Sequence, residues 1–269
     1  MKWLAFLFIV VLLFTTSQAT AKLEKDLVVY FTFDNVKGNK VLDASGNDLD
    51  AEIIANVDFV EGKYGDAIHI AAELEGDDCL NIPVDDLLKI EGKMTMMAWV
   101  FNEDWVKNSG KWFDKGSHVL GEEKKGYSMG LINDVGAFKG PNIGMRLGGI
   151  QAVYGFNTTG PMVDKNWHHI AGTYDGKTAK IYLDGEILSN VDSTFEFSGT
   201  NDIDLRIGCT KNRPQYTFKN GFIDEVGVWQ RALSQAEIAE AMKGFLAVSP
   251  KDKVATTWGD IKHRAITDE

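Results

Sequence analysis

The sequence predicts an all-β fold, a two-sheet antiparallel sandwich with one short C-terminal helix. Three observations carry this. Apolar residues recur at period two through most of the chain, Gly, Asn and Asp interrupt these runs at short intervals, and one segment carries a helix-capping signature. Leu27, Val29, Phe31 and Phe33 alternate onto one face of a first strand. Met94 to Asn102, MTMMAWVFN, is apolar on both faces, as expected of a central strand covered on each side. The runs YSMGLI, NIGMRL and QAVYGF continue the series between residues 127 and 156, followed by strands at 167–174, 178–183 and 186–188. Asp175-Gly176 and Asp184-Gly185 separate these last three, and both dipeptides suit tight hairpin turns. Strands at 203–207 and 222–229 complete the sheets. Ser234 then caps a helix, with Glu237 closing a capping box, Leu233 and Ile238 placed as a hydrophobic staple, and Gly244 at the stop.

The ends of the chain read differently. Lys2, an apolar run over 3–14 and Ala19-Thr20-Ala21 make residues 1–21 a secretory signal peptide. About a dozen apolar residues fall short of the roughly 20 that span a bilayer, so a membrane anchor is the weaker alternative. The expectation is a secreted protein, extracellular or periplasmic. Residues 22–245 form the sandwich domain, and 246–269 are a C-terminal extension carrying Pro250 and an isolated Trp258 placed to touch the domain or a partner.

With 39 acidic against 28 basic residues the net charge is −11, and no basic stripe interrupts it. Such a chain repels nucleic acid and anionic membrane surfaces, so neither is an expected partner. Cys79 and Cys209 are the two cysteines. An oxidising compartment allows a disulfide between them, and two buried thiols are the alternative.

The order of VVYFTFDN, YGDAIHI, MTMMAWVF, NWHHIAGTYDGKTAKIYLDGEIL and GFIDEVGVWQRALSQAEI, from residue 27 to 242, resembles the laminin-G-like, concanavalin A-like jelly-roll family. The resemblance implies a jelly-roll sandwich of two curved sheets and leaves function open, since relatives bind glycans or proteins and some related folds cleave polysaccharides. In this family a structural calcium commonly ties the end of the first strand to a late strand. The matching positions here are Asp34, Asn47 and Asp224. The alternative is that Asp34 and Asp224 hydrogen-bond backbone amides.

Catalysis is not expected. Glycosidases need two carboxylates about 5–10 Å apart on one wall, and the E-x-D-x-x-E strand of glucan-cleaving relatives is missing. Asp224 and Glu225 are consecutive, which in a regular strand sends them to opposite faces. The same alternation keeps His168 and His169 from converging on one metal. One of these imidazoles is expected to bond within the sandwich and the other to edge towards a sheet surface. For ligand binding, aromatics in the loop-rich middle of the chain can stack on sugar rings while polar groups fix the hydroxyls. The candidates are Trp112, Tyr127 and Tyr154 with Asn133, Asp134 and Arg146. The alternative for each aromatic is a place in the core. The expected function is a secreted, lectin-like, non-catalytic module for carbohydrate or cell-surface glycoconjugate with a structural calcium, or else an adhesive protein–protein domain.

Overall fold

The computed structural model describes residues 22–244 apart from 55–56, 72–78, 106–109, 117–124, 133–141, 149–150, 156–163, 193–196, 198–200 and 212–215, and for 151–155 the backbone alone. The expected signal peptide 1–21, the extension 246–269 with Trp258, and Asn133 and Asp134 lie outside the described residues.

Alternation becomes architecture along β8 (Met94–Asn102). Met96, Ala98 and Val100 enter the large core, whereas Met97 joins a second cluster on the opposite face. The strands before β8 are β1 (Leu27–Phe31), β2 (Val36–Lys37), β3 (Lys40–Val41), β4 (Ala51–Ile53), β5 (Asp58–Glu61), β6 (Asp66–Ile70) and β7 (Leu80–Ile82). After it come β9 (Lys111–Asp114), β10 (Tyr127–Ile132), β11 (Asn142–Leu147), β12 (Gln151–Gly155) and β13 (His168–Tyr174). The series ends with β14 (Thr178–Leu183), β15 (Glu186–Asp192), β16 (Leu205–Ile207) and β17 (Gly221–Trp229).

All pair antiparallel into two sheets. The eight-stranded sheet runs β15-β14-β13-β8-β17-β6-β5, with β1 also on β17, and the nine-stranded sheet runs β12-β11-β10-β9-β16-β7-β4-β3-β2. The chain crosses repeatedly between them, giving the jelly-roll sandwich that the sequence predicts. β8 is central, between β13 and β17. Asp184 and Gly185 both take positive φ, 50° and 84°, the backbone a two-residue hairpin between β14 and β15 demands.

The helix α1 (Gln235–Ala241) forms as its caps dictate. The Ser234 hydroxyl accepts from the Glu237 N–H, and the Glu237 carboxylate accepts from Ser234 N–H. Leu233 and Ile238 are buried beside Tyr30, Met97, Tyr182 and Trp229, so α1 covers part of the outer face of the eight-stranded sheet. No helix among the described residues is long and apolar enough to cross a membrane.

Cys79 and Cys209 are bonded, with Cα atoms 5.7 Å apart, which decides between the two alternatives. They sit beside β7 and β16, adjacent strands of the nine-stranded sheet. One expectation for β1 fails: Leu27 leaves the face of Val29, Phe31 and Phe33 and joins the outer cluster. A bulge between Leu27 and Val29 inserts an extra residue, and this reverses the alternation.

Candidate functional site

Register alone places a polar row on the outer face of the nine-stranded sheet. Arg146 pairs with Ser128, Ser128 with Asp114, Asp114 with Arg206, and Arg206 with Asn81. The row continues from Asn81 to Glu52 and Lys40. Directly opposed residues share a face, so these side chains line one surface, while their neighbours Met129, Leu205, Ile207, Leu80 and Ile82 fill the core. Lys111 joins that surface through a bulge. Met129 pairs with Phe113 but Gly130 pairs with Lys111, so Trp112 is the extra residue. Lys111 and Asp114 thus face the same way despite their odd spacing.

The central part of this surface is deeply set. Lys111 is 4% exposed, Asp114 1% and Arg206 6%. Burial lowers the Lys111 ammonium to about 8; Asp114 opposes this and the Arg146 charge adds to it. Its Nζ lies 5.8 Å from the Tyr216 ring centre. Among the described residues no hydrogen-bond acceptor or carboxylate contacts that ammonium.

Of the sequence candidates, Arg146 belongs to this surface. Trp112 and Tyr127 do not, and this corrects the expectation: both are fully buried in the main core. Trp112 packs edge-on to Phe218, and the Tyr127 hydroxyl donates to the Leu88 carbonyl at 3.2 Å, so neither ring can stack on a sugar. Tyr154 is paired in register with Gly144 on β12. Sequence reasoning missed Ser128, Arg206 and Asn81, although each is a lone polar residue between apolar ones in its strand. Lys111 and Asp114 gave no such signal, because the bulge hides them.

A second group of charges lies midway along β17. The Asp224 carboxylate accepts from Tyr64 N–H at 2.9 Å and Glu225 N–H at 2.7 Å, and Asp34 Oδ1 accepts from Asp66 N–H at 2.8 Å. Both aspartates therefore converge on the turn joining β5 to β6. Asp224 and Glu225 do not face opposite sides. A bulge between Asp224 and Gly227, with Glu225 at φ 51°, leaves both carboxylates on the outer face, Glu225 bonded to the Tyr30 hydroxyl. Burial pushes Asp224 up to about 7, and Asp34 adds to this. Burial likewise lifts Glu225 to about 8, Tyr30 opposing and Asp224 and Asp34 adding. Glu225 Oε1 is buried without a hydrogen-bond partner among the described residues.

Asn47 is not part of this group, a further correction. Its amide donates to the carbonyls of Leu27 and Val28 at 2.9 and 2.8 Å, pinning the opposite end of β1. Among the described residues no three His, Cys, Asp or Glu side chains are arranged to hold a metal.

The adjacent histidines part as alternation requires. His168 is clamped between Asp184 Oδ2 at 2.8 Å and Asp164 Oδ1 at 2.9 Å. Burial opposes protonation of His168, but the two carboxylates outweigh it and raise its pKa, while Asp164 and Asp184 are lowered. A raised histidine adds stability that is complete below its unfolded value and fades as pH rises through the folded one. The lowered aspartates add stability that fades as pH falls through theirs. The clamp is therefore strongest between about pH 4 and 6.5. Replacing His168 with Gln should flatten the fall in melting temperature between pH 6 and 8; an unchanged slope would mean the clamp contributes nothing. His169 reaches the outer face but is buried there, edge-on to Trp99 at 5.4 Å, and burial lowers it to about 3.

The outer face of the eight-stranded sheet also carries an aromatic row that sequence reasoning did not single out. Trp167, just before β13, and Phe101, Phe222 and His69 on the adjacent β8, β17 and β6 have successive ring centres 5.9, 5.3 and 4.6 Å apart, and all are partly exposed.

Residues 74–239 match the family model described as the concanavalin A-like lectin/glucanases superfamily. Among solved structures, the chain is similar to the binding domain of Paraclostridial Mosquitocidal Protein 1, with 18% identity and TM-score 0.61 over 81% of this chain and 52% of that one. It is also similar to domain 4 of AbnA, a GH43 extracellular arabinanase from Geobacillus stearothermophilus, in complex with arabinotriose. There the identity is 19% and the TM-score 0.58, over 83% of this chain and 98% of that one. The ligand binding domain of botulinum neurotoxin serotype D, in complex with N-acetylneuraminic acid, gives 11% and 0.60 over 84% and 52%. The chain spans about half the length of the two toxin domains. At these identities the likeness is one of fold. No curated protein matches the chain.

Proposed function

The chain belongs to the concanavalin A-like lectin/glucanases superfamily, and from that premise we propose that it is an exported, non-catalytic recognition module that binds carbohydrate or a glycoconjugate on the outer face of the nine-stranded sheet. The polar row from Arg146 to Asn81 carries this reading. A sheet face set with guanidinium, hydroxyl, amide and carboxylate groups offers donors and acceptors at fixed spacing, which is what sugar hydroxyls require. The sugars in two similar structures, arabinotriose and N-acetylneuraminic acid, support it.

Hydrolysis is disfavoured by distance. Asp114 and Glu52 are the carboxylates of the row, and β16 and β7 lie between their strands. Three strand spacings put them about 14 Å apart, beyond the about 5–10 Å of paired glycosidase carboxylates. A glycan array probed with the full mature protein should give binding without released sugar; no binding to any glycan would overturn the reading.

A structural calcium is part of the proposal. The donors are hard carboxylate oxygens, the chemistry calcium prefers, and the crowding of Asp34, Asp224 and Glu225 favours a cation among them. Asp34 and Asp224 would hold it, with backbone carbonyls completing the shell and Glu225 behind them. Its contribution would be to fix the β5–β6 turn against β17.

A second reading, an adhesive domain that meets another protein, is favoured by the aromatic row. Partly exposed rings in one line suit a protein interface. Serine at Phe222 should then abolish association with that partner while leaving glycan binding intact.

A further inference from the structure

Resting on the carbohydrate reading, we propose that the sugar recognised on the nine-stranded sheet is an acidic one, whose carboxylate or sulfate group seats against Lys111 beside Arg146. Lys111 supplies the first reason. Lys111 as a residue is 4% exposed, and the ammonium of so deeply set a side chain normally finds a carboxylate or carbonyl, because burying an unpaired charge is costly. Among the described residues Lys111 finds neither, only the Tyr216 ring at 5.8 Å. A donor group held this way is matched by an anion that arrives with the ligand.

The second reason is like-charge crowding. Arg146 lies near enough to make the Lys111 proton easier to lose, and Arg206 shares the same face. Asp114 is the one carboxylate among these four groups. In a chain of net charge −11, Lys111, Arg146 and Arg206 on one sheet face run against composition. A bound anion relieves the repulsion between Lys111 and Arg146.

The third reason is space. Gly130 is the register partner of Lys111, and Gly144 that of Gly130. A Cβ on Gly130 would come within 2.8 Å of Lys111 Cδ, so the lysine stem lies across the glycine. It would also meet Gly110 O at 2.3 Å and Lys111 Cα at 2.7 Å, so only glycine lets the strand and the lysine stem pack this closely.

The full mature protein is tested by calorimetry and pull-down against polygalacturonate, dextran sulfate and unmodified dextran. Binding to polygalacturonate, to dextran sulfate or to both, but not to dextran, is expected; which of the two acidic polymers binds tells carboxylate from sulfate. Affinity should fall as salt is raised. The acidic chain repels polyanions overall, so such binding requires a local site. Lys111→Met should weaken binding at least tenfold without lowering the melting temperature, since the change removes a buried charge. Arg146→Gln, at a less buried position, should weaken it severalfold and serves if the Lys111 variant misfolds. Binding to dextran alone would overturn the acidic-sugar inference and leave the carbohydrate reading standing. Binding to acidic polymer that both variants retain would also overturn it. No binding to any polymer here or on the array would overturn the carbohydrate reading, and the inference with it.

Discussion

Converting Cys79 and Cys209 together to alanine is expected to destabilise the domain by about 2–5 kcal/mol, one of the two largest effects the structure implies. The bridge joins residues 130 positions apart. Cross-linking so long a segment removes much of the freedom of the unfolded chain, and that is where the stabilisation arises in the chain-entropy account. Both sulfurs are fully buried, so the alanines also leave unfilled volume. For a domain of this size the melting temperature should drop by about 10 °C. The effect should extend to the ligand surface. The bridged residues flank β7 and β16, whose Asn81 and Arg206 are partners in the polar row, and Arg206 Nη1 lies 3.8 Å from Cys209 Sγ. Thermal unfolding with and without reductant checks this on one sample. If reduced and oxidised protein melt together, the bridge is structurally idle.

The strands that the sequence made legible are those where alternation runs undisturbed. YSMGLI, NIGMRL and TAKIYL fold with the bounds their periodicity predicts, and the Ser234–Glu237 box starts α1 as expected. The errors over which face a residue takes share one cause. Leu27, the pair Lys111 and Asp114, and the pair Asp224 and Glu225 all sit at bulges, where an extra residue reverses the faces beyond it. A bulge is settled by pairing with a distant strand, so a period-two count cannot see it. The candidate surface depends on this twice, since both its buried lysine and its central carboxylate come from the bulged β9. Trp112 and Tyr127 were misplaced for another reason. An aromatic residue near loops reads the same whether it stacks on a ligand or fills a core, and only the opposing sheet decides. Arg146 was legible because Met145 and Leu147 on either side claim the core face.

Asp224 separates what the fold needs from what a cation would add. Its carboxylate, buried within an apolar strand, is the acceptor for the backbone N–H groups of Tyr64 and Glu225. Alanine there leaves both donors without their partner, at about 1–3 kcal/mol each, so Asp224→Ala should lower stability by several kcal/mol even in a chelator. Asp34→Ala removes an acceptor for Asp66 N–H alone, in a more exposed setting, and should cost about 1 kcal/mol in the same buffer. Added calcium makes the two variants alike. The wild-type protein should gain about 2.7 kcal/mol at a calcium concentration a hundredfold above its dissociation constant, and both variants should lose that gain. Asn47→Ala should keep it, because the Asn47 amide serves the far end of β1. A wild-type melting temperature that is the same in excess calcium and in chelator removes the cation from the proposal, while the two donor bonds to Asp224 still predict the larger loss for its variant. Calcium-dependent stabilisation that survives in Asp34→Ala would instead confine the ion to Asp224 and backbone carbonyls. The β5–β6 turn is then held to β17 from one side only.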